Sequence, residues 1–219
     1  MRCVAAILAR NEERRYLRET IQHLQPLCTD ILLLNDGSTD RTPQLAWDMG
    51  CQVKDRSGGP MWGQESGARQ ELWSWGSEVC GDGWLLICDA DQELIAPKDV
   101  WEGMLTSWYT TAWSFPLCDT WDSPTQHRTD GFWQGHLHPR PWLFKPGDCK
   151  DQQWSERGIH TGHSPLGNWY HSVAPESVYW KHRGWEKPED RAEKVLRYQQ
   201  AADQLSPYEA AHLASVLET

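Results

Sequence analysis

Residues 83–93 read GWLLICDADQE, an apolar run that ends abruptly in carboxylates. Trp84 to Cys88 predicts a short buried strand. Asp89 and Asp91, one residue apart past its tip, project toward the same cleft. Hard oxygen donors held in that way suit Mg2+ or Mn2+, and a divalent ion between them can neutralise a diphosphate. Acids are also common turn residues at strand ends, so the pair takes its meaning from what surrounds it.

Working outward from this strand, the first half of the chain alternates. Cys3 to Leu8 (CVAAIL) reads as another buried strand, followed by Leu17, Ile21 and Leu24 at helical spacing behind Asn11 as cap. Residues 30–50, DILLLNDGSTDRTPQLAWDMG, repeat the arrangement. There, a strand from Ile31 to Leu34 and a polar turn lead to a helix with Asp40 as N-cap, Pro43 in its first turn and Gly50 at its end. A short strand follows at Cys51 to Lys54, then a glycine-rich loop, RSGGPMWGQESG (56–67), and a helix to about Gly76. Strands alternating with helices predict an α/β fold, a mainly parallel sheet flanked by helices on both faces. Ligands gather at the carboxyl ends of such strands. Asn35-Asp36, Asp55 and Asp89-Ala90-Asp91 therefore belong to one candidate cleft.

After Asp99 the pattern changes. A helix through Val100 to Trp108 leads into TAWSFPL (111–117), a strand, and from Cys118 to Pro175 the sequence is rich in Trp, His, Gly and Pro. Only short strands, such as Trp142 to Lys145, are expected in this loop-rich half, the usual place for specificity. SVYWKHRGW (177–185) holds a strand ending in His182. The helix opened by Pro188 then places Ala192, Val195, Leu196 and Ala202 on one face.

Composition narrows the function classes. A length of 219 residues with 39% hydrophobic content supports one substantial core. The net charge of −10 argues against a surface that grips a polyanion. The charge is uneven: residues 127–183 carry seven Lys/Arg against five Asp/Glu and hold seven of the nine histidines, a block that suits an anionic ligand. The longest apolar runs are far below the roughly 20 residues of a membrane span, and no secretory pattern follows Arg2. Seven scattered cysteines without a Cys-x-x-Cys pair read as reduced thiols. A cytoplasmic location is expected.

The order AILARNEE (6–13), LLLNDGSTDRT (32–42), ESGARQ (65–70), LLICDADQE (85–93) resembles the nucleotide-sugar-binding half of family-2 glycosyltransferases, which have the GT-A fold. The likeness spans about residues 3–95. RPWLFKPGDCKDQQWSERGIHTGHSPLG (140–167) and VYWKHRGWEKPEDRAEKVLRY (178–198) resemble the later half of compact members, where an R-L-F strand precedes an I-H-E element and a K-x-R-Y helix follows a histidine. Thr161 departs from that pattern, standing where it has Glu, and the E-D helix start of larger relatives is absent. The resemblance implies a single GT-A-like (Rossmann-like) domain over 1–219, with a nucleotide-sugar-binding half (1–95), an acceptor half (96–185) and C-terminal helices (186–219).

It also implies a nucleoside diphosphate sugar, a UDP-sugar, lying across the strand ends. Asp36 would hydrogen-bond the base, Arg10 and Glu12 would border the same pocket, and Arg69 would lie near the donor. Asp89 would face the ribose or the metal shell, Asp91 would ligate Mn2+ or Mg2+, and His182 would complete the shell or meet a phosphate. The implied activity is metal-dependent, inverting transfer of a sugar to an acceptor hydroxyl. Local readings stand beside these roles: an Asx turn for Asp36, a helix N-terminus for Glu12, and solvated charges for Arg10 and Arg69.

Inverting transfer needs a base for the acceptor hydroxyl. Asp119, Asp122 and Asp130 lie in LCDTWDSPTQHRTDGFW (117–133), and His160 and Glu176 are further candidates. Asp130, flanked by Arg128 and Trp133, is the first choice and Asp122 the second. Of the fifteen tryptophans, Trp121, Trp133, Trp142, Trp154 and Trp169 fall in the acceptor half. Two or three of them are expected to stack on sugar faces and the others to pack. His136 and His138, alternating along a strand, permit a zinc site. Two other classes compete: a lectin-like GT-A domain that transfers nothing, and a nucleotidyltransferase, against which ARNEERR (9–15) lacks the glycine-rich loop after the first strand. The acceptor stays open among a glycan, a protein, a small aglycone and a modified nucleic-acid base.

Overall fold

The computed structural model describes residues 1–58, 65–156, 162–200, 203 and 205–217. Its first half holds β1 (Cys3–Ala9), α1 (Leu17–Leu24), β2 (Asp30–Asn35), α2 (Thr42–Asp48), β3 (Gln52–Asp55), α3 (Glu65–Cys80) and β4 (Trp84–Asp89). The second half adds β5 (Gln92–Ile95), α4 (Lys98–Leu105), β6 (Ala112–Phe115), β7 (Leu117–Asp119), β8 (Arg140–Phe144), β9 (Lys150–Gln153) and β10 (Leu166–Asn168). It closes with β11 (His171–Val173), β12 (Tyr179–His182), α5 (Pro188–Gln199) and α6 (Pro207–Ser215). A seven-stranded sheet runs in the order β11-β6-β8-β4-β1-β2-β3. Its pairs are parallel except where β8 lies antiparallel between β4 and β6. The expected mainly parallel α/β sheet flanked by helices is present.

Two-sided burial explains the composition of β1 and β4. Cys3, Ala5 and Ile7 pack with Ile21, Leu24, Trp84, Leu86 and Trp101 on one face. The alternate residues Val4, Ala6 and Leu8 pack with Ala68, Leu72, Trp73 and Leu85 of the other face. On that second face α3 comes close, because a Cβ at Gly76 would lie 2.5 Å from a Leu85 methyl. Register then aligns the strand tips. Leu8 pairs with Asp89, Ala9 with Asn35, and Asn35 with Asp55, so the acids past each strand form one row.

A three-stranded sheet, β5-β12-β7, completes that end of the molecule. Its register sets His182 opposite both Gln92 and Asp119. Strand β5 escapes a reading by pattern, since Gln92-Glu93-Leu94-Ile95 is short and half polar. Yet it is what carries the chain from Asp91 directly alongside His182.

Several local expectations change. Asn11 does not cap α1: residues 13–16 form a turn, Tyr16 precedes the helix, and the Asn11 side chain accepts from the Thr39 N–H at 2.8 Å. Arg41 holds the position before α2, and Asp40 caps from one residue further back, accepting from the Thr42 N–H at 2.9 Å and its hydroxyl at 2.6 Å. Helix α3 continues to Cys80, and α4 ends at Leu105, leaving Trp108 87% exposed. On α5, Val195 is buried as expected, but Ala192 and Leu196 face outward while Asp190 and Arg191 turn in. That face is charged because it meets Tyr16, Arg15 and Asp122 rather than a greasy core. Ala202 and residues 59–64 of the glycine-rich loop lie outside the described residues. All seven cysteines are free thiols. Among the described residues no helix is long and apolar enough to cross a membrane.

Leu86 is fully buried at the centre of the sheet. Leu86→Ala is expected to cost about 2–5 kcal/mol in urea unfolding, whereas Trp108→Ala, on an exposed ring, should stay within about 0.5 kcal/mol.

Candidate functional site

The row of strand tips carries three charged groups. At the end of β2, Asp36 and Arg56 form a buried ion pair at 3.0 Å, and the Asp36 N–H donates to Ala9 O at 2.9 Å. Asn35 rather than Asp36 closes the adjoining turn, accepting from the Ser38 N–H at 3.1 Å and donating to Asp55 at 2.8 Å. Arg10 is exposed at the rim. The Glu12 N–H donates to the Thr42 hydroxyl at 2.6 Å, and its carboxylate lies 3.6 Å from Arg15. Burial, only partly countered by Arg15, pushes the Glu12 carboxyl up to about 8.

At the tip of β4, Asp89 stands between a guanidinium and an imidazole. Arg69 of α3 lies 2.9 Å from Oδ1 and His163 Nε2 lies 3.0 Å from Oδ2. Arg69 is itself buried and also meets Glu65 at 3.1 Å, so it is not a solvated charge. Burial would raise the Asp89 carboxyl, but Arg69 and then His163 outweigh burial and hold it below the usual carboxylate range.

Asp91 forms the third group. Lys194 Nζ donates to its Oδ2 at 2.9 Å, and His182 Nε2 lies 3.5 Å from the same oxygen. His182 Nδ1 meets Asp119 Oδ1 at 2.7 Å, which fixes the ring. Burial again opposes the Asp91 charge, and Lys194 followed by His182 overcomes it, holding the carboxyl well below its ordinary value. For His182, burial favours the neutral ring, but Asp91 and Asp119 prevail and push it up to about 9. Nδ1 is thus engaged by Asp119, while Nε2 faces Asp91 at 3.5 Å and Lys194 Nζ at 3.4 Å. The point where these groups converge is kept open by Gly184. A Cβ there would sit 2.0 Å from Lys194 Nζ, 2.2 Å from Asp91 Oδ2 and 2.9 Å from His182 Nε2.

The other expected residues lie elsewhere. Asp130 is exposed and paired with Arg128 at 2.8 Å, which holds its carboxyl below the ordinary value. Asp122 adopts a left-handed backbone at φ 58° and pairs with Arg191 at 2.6 Å. Among the described residues, the acid of segment 117–133 that touches the Asp91 group is Asp119, through His182. Glu176 is exposed, and His160 and Thr161 lie outside the described residues. Trp121, Trp133 and Trp142 are buried, stacking edge-on against Trp133, Trp185 and Trp180, so their faces serve packing rather than a sugar. Trp154 and Trp169 are half-buried against Trp73. His136 and His138 fall on and after a 3-10 turn (Gly135–Leu137), not a strand, and among the described residues no group of three or more metal-ligating side chains is preassembled.

Sequence reading missed Arg56, His163 and Lys194. Arg56 directly follows a strand, the same position that singled out Asp36, and was legible on that ground. His163 and Lys194 are far in sequence from the aspartates they meet.

Acids at the carboxyl ends of a parallel sheet, each paired with a cation, define an α/β cleft with opposed charges. No family model matches the chain, and no curated protein matches it. Solved structures similar to it include glucosyl-3-phosphoglycerate synthase from Mycobacterium tuberculosis with Mn2+, UDP and glucosyl-3-phosphoglycerate. That similarity is 21% identity over 53% of this chain and 44% of that one, with a TM-score of 0.38. The same synthase with Mn2+, UDP-glucose and phosphoglyceric acid gives 16% identity over 67% of this chain and 57% of that one, with a TM-score of 0.41. A further mycobacterial protein gives 22% identity over 54% and 41%, with a TM-score of 0.40. The chain spans less than two thirds of the length of each.

The His182 shift sets a pH dependence. Its folded value of about 9 lies above the ordinary 6.5, so the stability it contributes is fully present below about pH 6.5 and is lost as pH rises through about 9. In thermal melts without added metal, the deficit of His182→Gln relative to wild type should be largest near pH 6 and shrink by pH 10.

Proposed function

We propose that this chain is a GT-A-like glycosyltransferase that moves a sugar, with inversion, from a UDP-sugar to an acceptor hydroxyl. The observation that carries the reading is that Asp36 after β2, and Asp89 and Asp91 at and just past the end of β4, stand at the same end of the two parallel strands that flank β1, with His182 brought against Asp91 by β12. A lectin needs no such constellation, and three of the five tryptophans it would use are buried.

The Asp91 group fits a divalent metal by its donor chemistry. One carboxylate and one imidazole converge on a cradle that a Cβ at position 184 would fill, and the cradle already receives a cation, the Lys194 ammonium. Two protein donors suffice where phosphates and water supply the remaining ligands. Asp91, and His182 once it has lost its Nε2 proton, would hold Mn2+ or Mg2+, which when bound offsets the charge growing on the leaving diphosphate. Asp36 accepts from the uracil N–H while Arg56 fixes its carboxylate. Arg69 and His163 keep Asp89 ionised and aimed at the ribose. Asp130, or Asp122 after it, takes the acceptor proton, and either must first release its arginine. The seven free thiols suit a reducing, cytoplasmic compartment.

Asp91→Asn is expected to lower UDP-sugar turnover at least about 100-fold, roughly 2.7 kcal/mol, with an unchanged circular dichroism spectrum. Full activity of that variant in the presence of chelator would remove the metal from the reaction. Calorimetry should find UDP bound at least about threefold more tightly than GDP or ADP, roughly 0.7 kcal/mol. Equal affinities would take Asp36 out of base recognition. Asp130→Asn should abolish transfer while leaving the UDP dissociation constant within about threefold, since a base acts in the transition state. If it transfers normally and Asp122→Asn is dead, the base is Asp122.

A further inference from the structure

Lys194 occupies the one point toward which Asp91 and His182 both turn. Its ammonium is 2.9 Å from Asp91 Oδ2 and 3.4 Å from His182 Nε2. A divalent ion on the same carboxylate oxygen would sit about 2.0–2.2 Å from it. Two cations cannot share that oxygen without strong repulsion. Position 184 confirms how confined the space is, since even a methyl group there would lie 2.0 Å from the ammonium.

Backbone and stem behave differently here. Helix α5 is fastened in the turn before Lys194: Asp190 accepts from the Tyr16 hydroxyl at 2.8 Å, and Arg191 reaches Asp122 at 2.6 Å and Trp185 O at 2.9 Å. The helix therefore stays while the flexible four-carbon stem is free to pivot. In this same position Lys194 Nζ also lies 4.7 Å from the centre of the Trp185 ring.

We propose that Lys194 is the resident counter-cation of the Asp91–His182 cradle and competes with the divalent metal, so that metal binds well only together with the nucleoside diphosphate. The diphosphate draws the ammonium off Asp91 into a charge-assisted hydrogen bond, and the vacated carboxylate oxygen becomes available to the ion. Metal and nucleotide thereby assist each other, with Lys194 as the coupling element. The inference rests on the metal-dependent reading above.

The test is Mn2+ binding, followed by the loss of its free paramagnetic resonance signal, for the intact chain and for Lys194→Met and Lys194→Arg, each with and without UDP. Thermal melts check that each variant is folded. Without UDP, Lys194→Met should bind Mn2+ at least about tenfold more tightly than wild type, about 1.4 kcal/mol, while Lys194→Arg, which keeps the charge, should stay weak. UDP should strengthen Mn2+ binding to wild type at least about tenfold, and to Lys194→Met by much less. Equal or weaker Mn2+ binding by Lys194→Met without UDP overturns the inference and leaves the metal-dependent reading standing if wild type still takes Mn2+ with UDP. Absence of Mn2+ binding to every protein, with and without UDP, overturns both.

Discussion

A carboxylate at the dry tip of a buried strand must be paired, and Asp91 is such a group. Leaving it unpaired would cost several kcal/mol, so the fold has to deliver cations to it. It does so from two separate elements, His182 at the end of β12 and Lys194 on α5. Those arrivals require others. Strand β12 needs β5 and β7 as partners, and β7 supplies Asp119 to hold the His182 ring. Helix α5 needs Arg15 and Tyr16, in the turn between β1 and α1, to hold Asp190. Asp36 and Asp89 find cations within the first half, Arg56 and Arg69, but Asp91 is neutralised by the second half of the chain.

The first half was legible because its strands are long and buried on both faces. Cys3 to Leu8 and Trp84 to Cys88 were placed within a residue of the observed β1 and β4, and Ile31 to Leu34 within one residue at each end of β2. Nothing comparable marks β5, β7, β10 or β11, which are three or four residues long and owe their conformation to the neighbours they pair with. Caps failed for a similar reason: Asn11 has the right chemistry for a helix start, but its side chain is drawn to Thr39, across the cleft mouth. At the site, the aspartates could be read from their place after strands. Lys194 could not, because it becomes relevant to Asp91 only through tertiary packing, and its helix shows an apolar pattern, Ala192 and Leu196, that points to the wrong face.

Tryptophan fastens the strands and helices to one another and orders the loops laid over them. Buried indoles fill large volumes, and their N–H groups reach backbone carbonyls: Trp84 to Leu105, Trp101 to Leu27, Trp113 to Met104 and Trp142 to Phe115. Around Trp121 and Trp133 the rings alternate with guanidinium planes, Arg128 lying 4.6 Å from one ring centre and 5.2 Å from the other, and Arg191 4.2 Å from Trp121. Arg128 and Trp133 then bind Ser215 at the end of α6. The segment that carries Asp122 and Asp130 is thus clamped from outside as well as from beneath. Its acids sit on a stiff support even though they belong to loops.

The pairing of Asp91 with residues that come a hundred positions later has a meaning for the order in which the chain is made. Synthesis delivers β1 to β4 first, with their acids already in register but without His182 or Lys194. Until β12 and α5 have been made, that parallel half has no internal cation at Asp91, and mobile ions from the surroundings must screen it. Completion of the cleft is therefore among the late events in the life of the nascent molecule, and a partly made chain carries the fold of the donor half without its balance of charge.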